Sequence, residues 1–181
     1  MGAGTYPFTG RLDTAADPLA PDPAHAVLSI TVARTGKTPV ALVVNMNSTD
    51  VDLIQGGVWL VGDLDTSASL VGSKHIWKST TNPASSFNGY YTAALQPQDG
   101  SVTTLPQGDG YLTFTVSTAG VVTWSGQLAD GTVVAATSAT LWADGSVPLF
   151  KLLYTNKGAL SQSLQIVPDA RTLRGAPHWS K

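Results

Sequence analysis

Residues 108–130, GDGYLTFTVSTAGVVTWSGQLAD, carry the feature that most constrains the fold, which is a pair of runs in which apolar and polar side chains alternate. Leu112 and Phe114 share a face in the first run, and Val122 and Trp124 share one in the second. A period of two is typical of a half-buried β-strand, and a glycine-containing turn between two such runs predicts a hairpin. We therefore expect a hairpin here, with Trp124 in the core.

The composition extends this prediction to the whole chain. Of the 181 residues, 43% are hydrophobic and 12% are charged, about half of the roughly 25% charged residues of a typical soluble domain. Glycine and proline turn signals separate short runs along most of the sequence. This pattern predicts an all-β fold. Our first choice is a single closed or nearly closed antiparallel β-barrel built from two related halves, and a β-sandwich is the second choice.

An internal repeat supports two related halves. Segment 8–12 aligns with 91–95 at an offset of 83 residues (91 − 8), and segment 28–32 aligns with 112–116 at an offset of 84 (112 − 28). Gly36 and Gly120 also align at 84. Because such periods change the interpretation of a fold, we treat them as two copies of one unit, although any two hairpins with glycine turns align to some degree.

The predicted organisation is therefore a single β domain over residues 1–181. The pseudo-repeat covers approximately 5–78 and 88–158, and closing strands follow over 159–181. Closing the barrel would remove the edge strands that a weakly charged sheet would otherwise expose.

Two local predictions in the first half depend on weaker signals. Residues 6–12 read as a short opening strand in which Pro7 restricts the position to an edge or a strand start. Residues 51–54 and 58–63 read as a second hairpin that turns around Gly56 and Gly57.

Several functional classes are disfavoured by composition and motifs. The formal net charge of −2, with no cluster of Lys and Arg, argues against nucleic-acid binding. The chain has no cysteine, hence no disulfide and no thiolate metal site, and no apolar run of 18 residues that predicts a transmembrane helix. The first ten residues also lack the basic and apolar segments of a signal peptide. No motif implies a cofactor.

Catalytic and metal sites have weak signals. His25, His75 and His178 are far apart, and no H-E-x-x-H, G-x-S-x-G or P-loop motif is present. The acid pairs Asp50/Asp52 and Asp63/Asp65 have the spacing of one strand face, but turn-terminal aspartates explain them more simply. We therefore predict no catalytic residue and no metal site, and we lean against an enzyme.

Ligand binding by aromatic side chains is a more specific hypothesis. The chain has five Trp and five Tyr, and aromatic rings in concave β-sites commonly stack on sugars or apolar ligands. Trp59, Trp77 and Tyr90 lie near glycines or charged residues, and with His75 they form our candidate ligand-binding set. Packing in the core or at a barrel rim is the alternative role for these aromatic residues.

Three motifs in the second half carry a family resemblance: GQLADGT at 126–132, DGSVPL at 144–149 and LYTNKG at 153–158, followed by Trp179 near Lys181. This pattern resembles an uncharacterised β-rich module of large bacterial surface or secreted proteins. The resemblance covers about residues 89–181 and the first half through its repeat alone. It implies architecture and an extracellular or cell-surface location, but it implies no chemistry.

These observations together predict a non-catalytic structural or interaction module, with a protein, a glycan or a small molecule as partner. The alternative is a barrel that binds a small ligand or glycan in its mouth, and an enzyme of unknown class is a distant third. A cytoplasmic location stays open.

Overall fold

The computed structural model describes residues 6–13, 25–47, 53–96 and 108–180. The chain divides into two compact units, Gly4–Lys74, hereafter the 4–74 unit, and His75–Lys181 together with Met1–Ala3, hereafter the 75–181 unit. Each unit is described by itself. The organisation as one domain stays a prediction.

Twelve β-strands and one short helical turn make up the described part of the chain. In chain order the elements are β1 His25–Arg34, β2 Lys37–Asn47, β3 Leu53–Leu60, β4 Asp63–Ser73, β5 Gly89–Leu95, β6 Gly110–Val116, β7 Val121–Gln127, β8 Val133–Thr140, β9 Ser146–Leu153, the helical turn Tyr154–Asn156, β10 Gly158–Val167, β11 Thr172–Arg174 and β12 His178–Ser180.

The strands form three antiparallel sheets, which confirms the all-β prediction. The 4–74 unit holds a sheet with the order β1-β2-β3-β4, and the 75–181 unit holds β5-β6-β7-β8 and a sheet in which β10 pairs with β9, β11 and β12. Over the described residues, none of these sheets closes on itself. The barrel prediction is therefore not confirmed.

The sheet of the 4–74 unit has one apolar face. Cross-strand partners lie on the same face of a sheet, so the registers of β1–β4 define its rows. Leu42 is buried and most of the other positions are half-buried. Two central rows of this face are Leu28, Val44, Gly56 and Leu70, and Ile30, Leu42, Val58 and Ala68.

The predicted turn around Gly56 and Gly57 is wrong. Both glycines lie inside β3, and the chain turns instead at Val61 and Gly62, where Gly62 adopts a φ of 87°. A Cβ at Gly56 would overlap the backbone carbonyl of Val43 on the neighbouring strand. The glycine therefore permits a close approach of two strands, which is the other reason why a glycine occurs in a strand interior.

The predicted strand over 6–12 is also not formed. This segment is irregular. Among the described residues, its backbone pairing with the sheet is limited to one isolated bridge between Asp13 and Val27, with N···O distances of 2.9 and 3.0 Å. The Tyr6 ring also lies 5.9 Å from the Arg34 guanidinium of β1. The equivalent segment of the repeat is the full strand β5, which pairs with β6 over its whole length.

Both halves of the repeat nevertheless contain a four-stranded meander, β1–β4 and β5–β8. The aligned glycines Gly36 and Gly120 both adopt left-handed φ angles, of 68° and 72°, in the turns β1–β2 and β6–β7. A left-handed φ suits glycine because it has no Cβ.

The two sheets of the 75–181 unit share one hydrophobic core, as the layers of a β-sandwich do. Phe114 and Trp124 are cross-strand partners at its centre, with ring centroids 6.5 Å apart and each side chain 1% exposed. Leu160 and Ile166 of β10 belong to the same core. The hairpin predicted over 108–130 and the core position of Trp124 are confirmed.

The two glycines of β3 provide a matched test of this packing. We expect Gly56→Ala to lower the free energy of unfolding by about 1–3 kcal/mol, because the added methyl group must displace the Val43 carbonyl. Gly57→Ala should be neutral or slightly stabilising, since a Cβ there would meet neighbours at ordinary distances of 3.5 Å or more. Urea denaturation followed by circular dichroism measures both, and equal losses would contradict this account.

Candidate functional site

A cleft of about 320 Å³ lies between β5 and β11 in the 75–181 unit. Residues 91–95 of β5 form one wall, and residues 171–175 with Pro177 form the other. Leu112 and Leu164, two buried core residues, also line it. Because five consecutive residues of β5 take part, the cleft follows the edge of the strand rather than one face. We call this site the β5–β11 cleft.

Among the described residues β5 pairs with β6 alone, and its other edge directs backbone hydrogen-bonding groups into this cleft. The Ser117 N–H, directly after β6, donates to the Val121 carbonyl of β7 at 2.9 Å. The direction of the backbone N–H and C=O groups alternates along a strand. The backbone groups of odd-numbered residues in β6 therefore point to β7, and those of even-numbered residues point to β5. The register pairs odd-numbered residues of β5 with even-numbered residues of β6. Thr92 and Ala94 therefore direct their N–H and C=O groups away from β6.

Within β5 itself, the sequence and register lack the charge, proline and bulge that commonly prevent pairing at an edge. Its sequence, GYYTAAL, contains no charged residue and no proline, and its register with β6 has no bulge. Natural edge strands are commonly protected by lysine, proline, bulges or short length. A seven-residue strand without charge, proline or bulge can accept another strand.

The opposite wall consists of β11, which pairs on one side only among the described residues, and of two arginines. β11 pairs with β10, and on its other side it lies next to β5 without ladder pairing. Arg171 precedes this strand, Arg174 ends it, and both side chains are exposed. Arg171 adopts a left-handed φ of 49°, which is uncommon for a residue with a side chain. The cleft lining contains these two arginines and no Asp or Glu.

The four residues predicted to bind a ligand do not line this cleft. Trp59 lies in β3 of the 4–74 unit, whereas the other three belong to the 75–181 unit. Tyr90 is 67% exposed and immediately precedes the lining segment of β5, and His75 is also exposed. Their ligand-binding role stays a prediction.

Trp77 has a structural role in the 75–181 unit. Its indole N–H donates to the Leu141 carbonyl at 2.9 Å, and its ring meets Phe87 edge-on at 5.7 Å between centroids. The ring also packs over Gly120, where a Cβ would lie 2.6 Å from Trp77 Cγ. These contacts hold the β6–β7 turn against the core.

The aspartates of the described acid pair and of the turns accept hydrogen bonds from nearby backbone N–H groups. The Asp65 N–H donates to the Asp63 carboxylate at 3.1 Å, and the Thr132 N–H donates to the Asp130 carboxylate at 2.9 Å. Such local bonds are typical of aspartate in turns. Asp50 and Asp52 lie outside the described residues. In the part of the chain that the structure describes, no group of three or more His, Cys, Asp or Glu could hold a metal ion.

Two of the three motifs noted in the sequence, together with Trp179, meet in one hydrogen-bonded chain. The Tyr154 hydroxyl donates to the Asp130 carboxylate at 2.7 Å, and the Trp179 indole N–H donates to the Tyr154 hydroxyl at 2.9 Å. Asp130 comes from the β7–β8 turn, Tyr154 follows β9 and Trp179 lies in β12. These motif residues therefore anchor β12 to the β7–β8 turn.

Comparison with known proteins finds no matching family model, no matching curated protein and no matching solved structure. The described residues also contain no helix that is both long enough and apolar enough to cross a membrane.

The β5–β11 cleft was not predicted, because it is defined by strand edges rather than by aromatic side chains. The uncharged segment 89–95 does not identify an edge, since β6, β7 and β8 are also uncharged. The two arginines at 171 and 174, in an otherwise weakly charged chain, were the one signal in the sequence.

The structural role of Trp77 is testable. Trp77→Phe should lower the free energy of unfolding by about 1–3 kcal/mol, since it leaves the Leu141 carbonyl without its donor and shrinks a packed ring. Tyr90→Phe, at an exposed position, should change it by less than about 0.5 kcal/mol. Urea denaturation of both variants provides the comparison, and a neutral Trp77→Phe would contradict the anchoring role.

The hydrogen-bonded chain through Tyr154 predicts a second stability effect. Tyr154→Phe removes the hydroxyl that joins Asp130 to Trp179, and we expect a loss of about 0.5–1.5 kcal/mol. Hydrogen exchange of β12 should accelerate. Tyr111→Phe is the matched control, because Tyr111 is 47% exposed in β6. Similar exchange of β12 in both variants would refute the anchoring of this strand by Tyr154.

Proposed function

We propose that this protein is a non-catalytic interaction module that binds an extended segment of a partner protein along the free edge of β5. The observation that carries the proposal is the edge of β5 that has no strand partner among the described residues, whose outward backbone groups at Thr92 and Ala94 open into the β5–β11 cleft. Addition of a strand to an exposed sheet edge is a recurring mode of peptide recognition.

Different parts of the cleft would make different contacts with the bound segment. Backbone groups of Thr92 and Ala94 would bond to the bound segment and contribute affinity that does not depend on its sequence. The half-buried side chains of Leu95 and Leu173, which pack against the core and line the cleft, offer an apolar surface for one side chain of the segment. Alternate side chains of an extended segment point to opposite sides, so the others would face solvent or β11.

Strand addition would also bring the unit closer to the predicted barrel. β8 lies next to β9 and β11 lies next to β5, in both cases without ladder pairing. Parts of β5 and β11 lie within 8 Å of each other, whereas two strands that flank a third are roughly 9–10 Å apart. β11 would therefore have to move outward for a bound segment to connect the two sheets on that side. We therefore include barrel closure in the proposal as a property of the bound state.

A bacterial surface or secreted location is the other part of the proposal. It is supported by the resemblance of residues 89–181 to a β-rich module of bacterial surface or secreted proteins, and by the absence of cysteine from the sequence. A cytoplasmic location is the alternative.

A small ligand or glycan is the second candidate partner. The cleft volume of about 320 Å³ supports it, because ligand pockets range from roughly 300 to 1,000 Å³. The aromatic side chains that would stack on a sugar do not line the cleft, apart from Tyr91, which is buried. A peptide segment therefore accounts for more of the lining than a sugar does.

The test uses proline on the two edges of one sheet. Ala94→Pro removes an outward N–H while leaving the bonds of β5 to β6 in place, so it should abolish strand addition and preserve the fold. Ser138→Pro is the matched control on β8. The Leu141 N–H donates to the Gly120 carbonyl at 2.9 Å, which directs the backbone of Ser138 away from β7.

A displayed library of random twelve-residue peptides would be selected on the wild-type chain, and the recovered peptides would be titrated against both variants. We expect binding to be lost with Ala94→Pro and retained with Ser138→Pro, and the amides of Thr92 and Ala94 to gain protection from hydrogen exchange in the complex. Recovery of no binding peptide, or binding that survives Ala94→Pro, would rule out the proposed site.

A further inference from the structure

We infer that the β5–β11 cleft selects segments that carry carboxylate side chains, an inference that rests on the proposed strand addition. The cleft lining contains Arg171 and Arg174 and no acidic residue. This composition is unusual within a chain in which 12 Asp and Glu outnumber 10 Lys and Arg. The local excess of positive charge therefore belongs to the cleft and opposes the charge of the whole protein.

The two guanidinium groups are available to a ligand. Both arginines are exposed, and among the described residues neither side chain has a hydrogen bond or an ion pair with the protein. Asp169 is the nearest acid along the chain, two residues before Arg171, and it does not line the cleft. A guanidinium group is planar and can donate two parallel hydrogen bonds to one carboxylate, which is a bidentate arrangement.

The spacing of the arginines suits an extended segment. Arg171 immediately precedes β11 and Arg174 is its last residue. Their Cα atoms are therefore roughly 10 Å apart, at about 3.3 Å per residue. Side chains at positions i and i+2 of a bound strand lie on one side and are roughly 7 Å apart. Two acids at this spacing can each approach one arginine, because arginine side chains are long and flexible. A single acid can approach either.

The experiment uses two labelled nine-residue peptides in which valine alternates with threonine at the ends and with either Asp or Asn at two central positions. We expect the Asp peptide to bind roughly fivefold more tightly at low salt, as for a partly exposed ion pair. The difference should shrink in 0.5 M salt, where the Debye length is short. Fluorescence anisotropy measures both affinities.

The variants separate charge recognition from strand addition. Arg171→Gln combined with Arg174→Gln should reduce the preference for the Asp peptide to about one, while the Asn peptide binds as before. Lys157→Gln, which removes an exposed cation outside the cleft, is the control and should retain the preference. Ala94→Pro should abolish the binding of both peptides.

The other outcomes overturn either the carboxylate selection alone or the strand addition as well. Equal binding of the two peptides that is lost with Ala94→Pro would overturn the carboxylate selection and leave the proposed function intact. Binding that persists with Ala94→Pro, or no binding of either peptide, would overturn both. If an oligogalacturonate binds to the wild type and to Ala94→Pro but not to the double arginine variant, the arginines belong to an acidic glycan site and the inference is wrong.

Discussion

Apolar burial between the two sheets of the 75–181 unit is the interaction on which the rest of that unit depends. The Phe114–Trp124 pair lies at its centre with both rings removed from water, and aromatic side chains of this size dominate the energetics of small cores. The cleft extends this core outward, since Leu112 and Leu164 belong to both. Trp77, which lies between β4 and β5 and packs over the β6–β7 turn, and Trp179 of β12 pack against the same core.

Much of the fold could be predicted because alternation of apolar and polar residues reports directly on strands. The hairpin around Gly120 and the burial of Trp124 followed from this period alone. Glycine was the source of error at Gly56, because it permits both a turn and a close approach of two strands, and one sequence does not distinguish these roles. The strand predicted over 6–12 does not form, because a strand also needs a pairing partner along its length.

The candidate site was much less predictable than the fold. An edge is defined by which strands do not pair, and this depends on the order β5-β6-β7-β8 rather than on any residue of β5. Aromatic content pointed instead to Trp77, whose ring and N–H are both used inside the unit. The acidic turns also illustrate this limit, because Asp130 resembles a reactive group in sequence and anchors Tyr154 in the structure.

The turn between β9 and β10 has a consequence for how this sequence can change. Tyr154, Thr155 and Asn156 all adopt left-handed φ angles, of 52°, 55° and 68°, a conformation that costs roughly 1–2 kcal/mol for a residue with a Cβ. Tyr154 compensates through its hydroxyl, and asparagine tolerates the conformation, but the β-branched Thr155 has neither advantage. The conformation of Thr155 therefore keeps the stability of the protein below its attainable maximum. Substitution at this position, in evolution or by engineering, can raise the stability without disturbing the cleft.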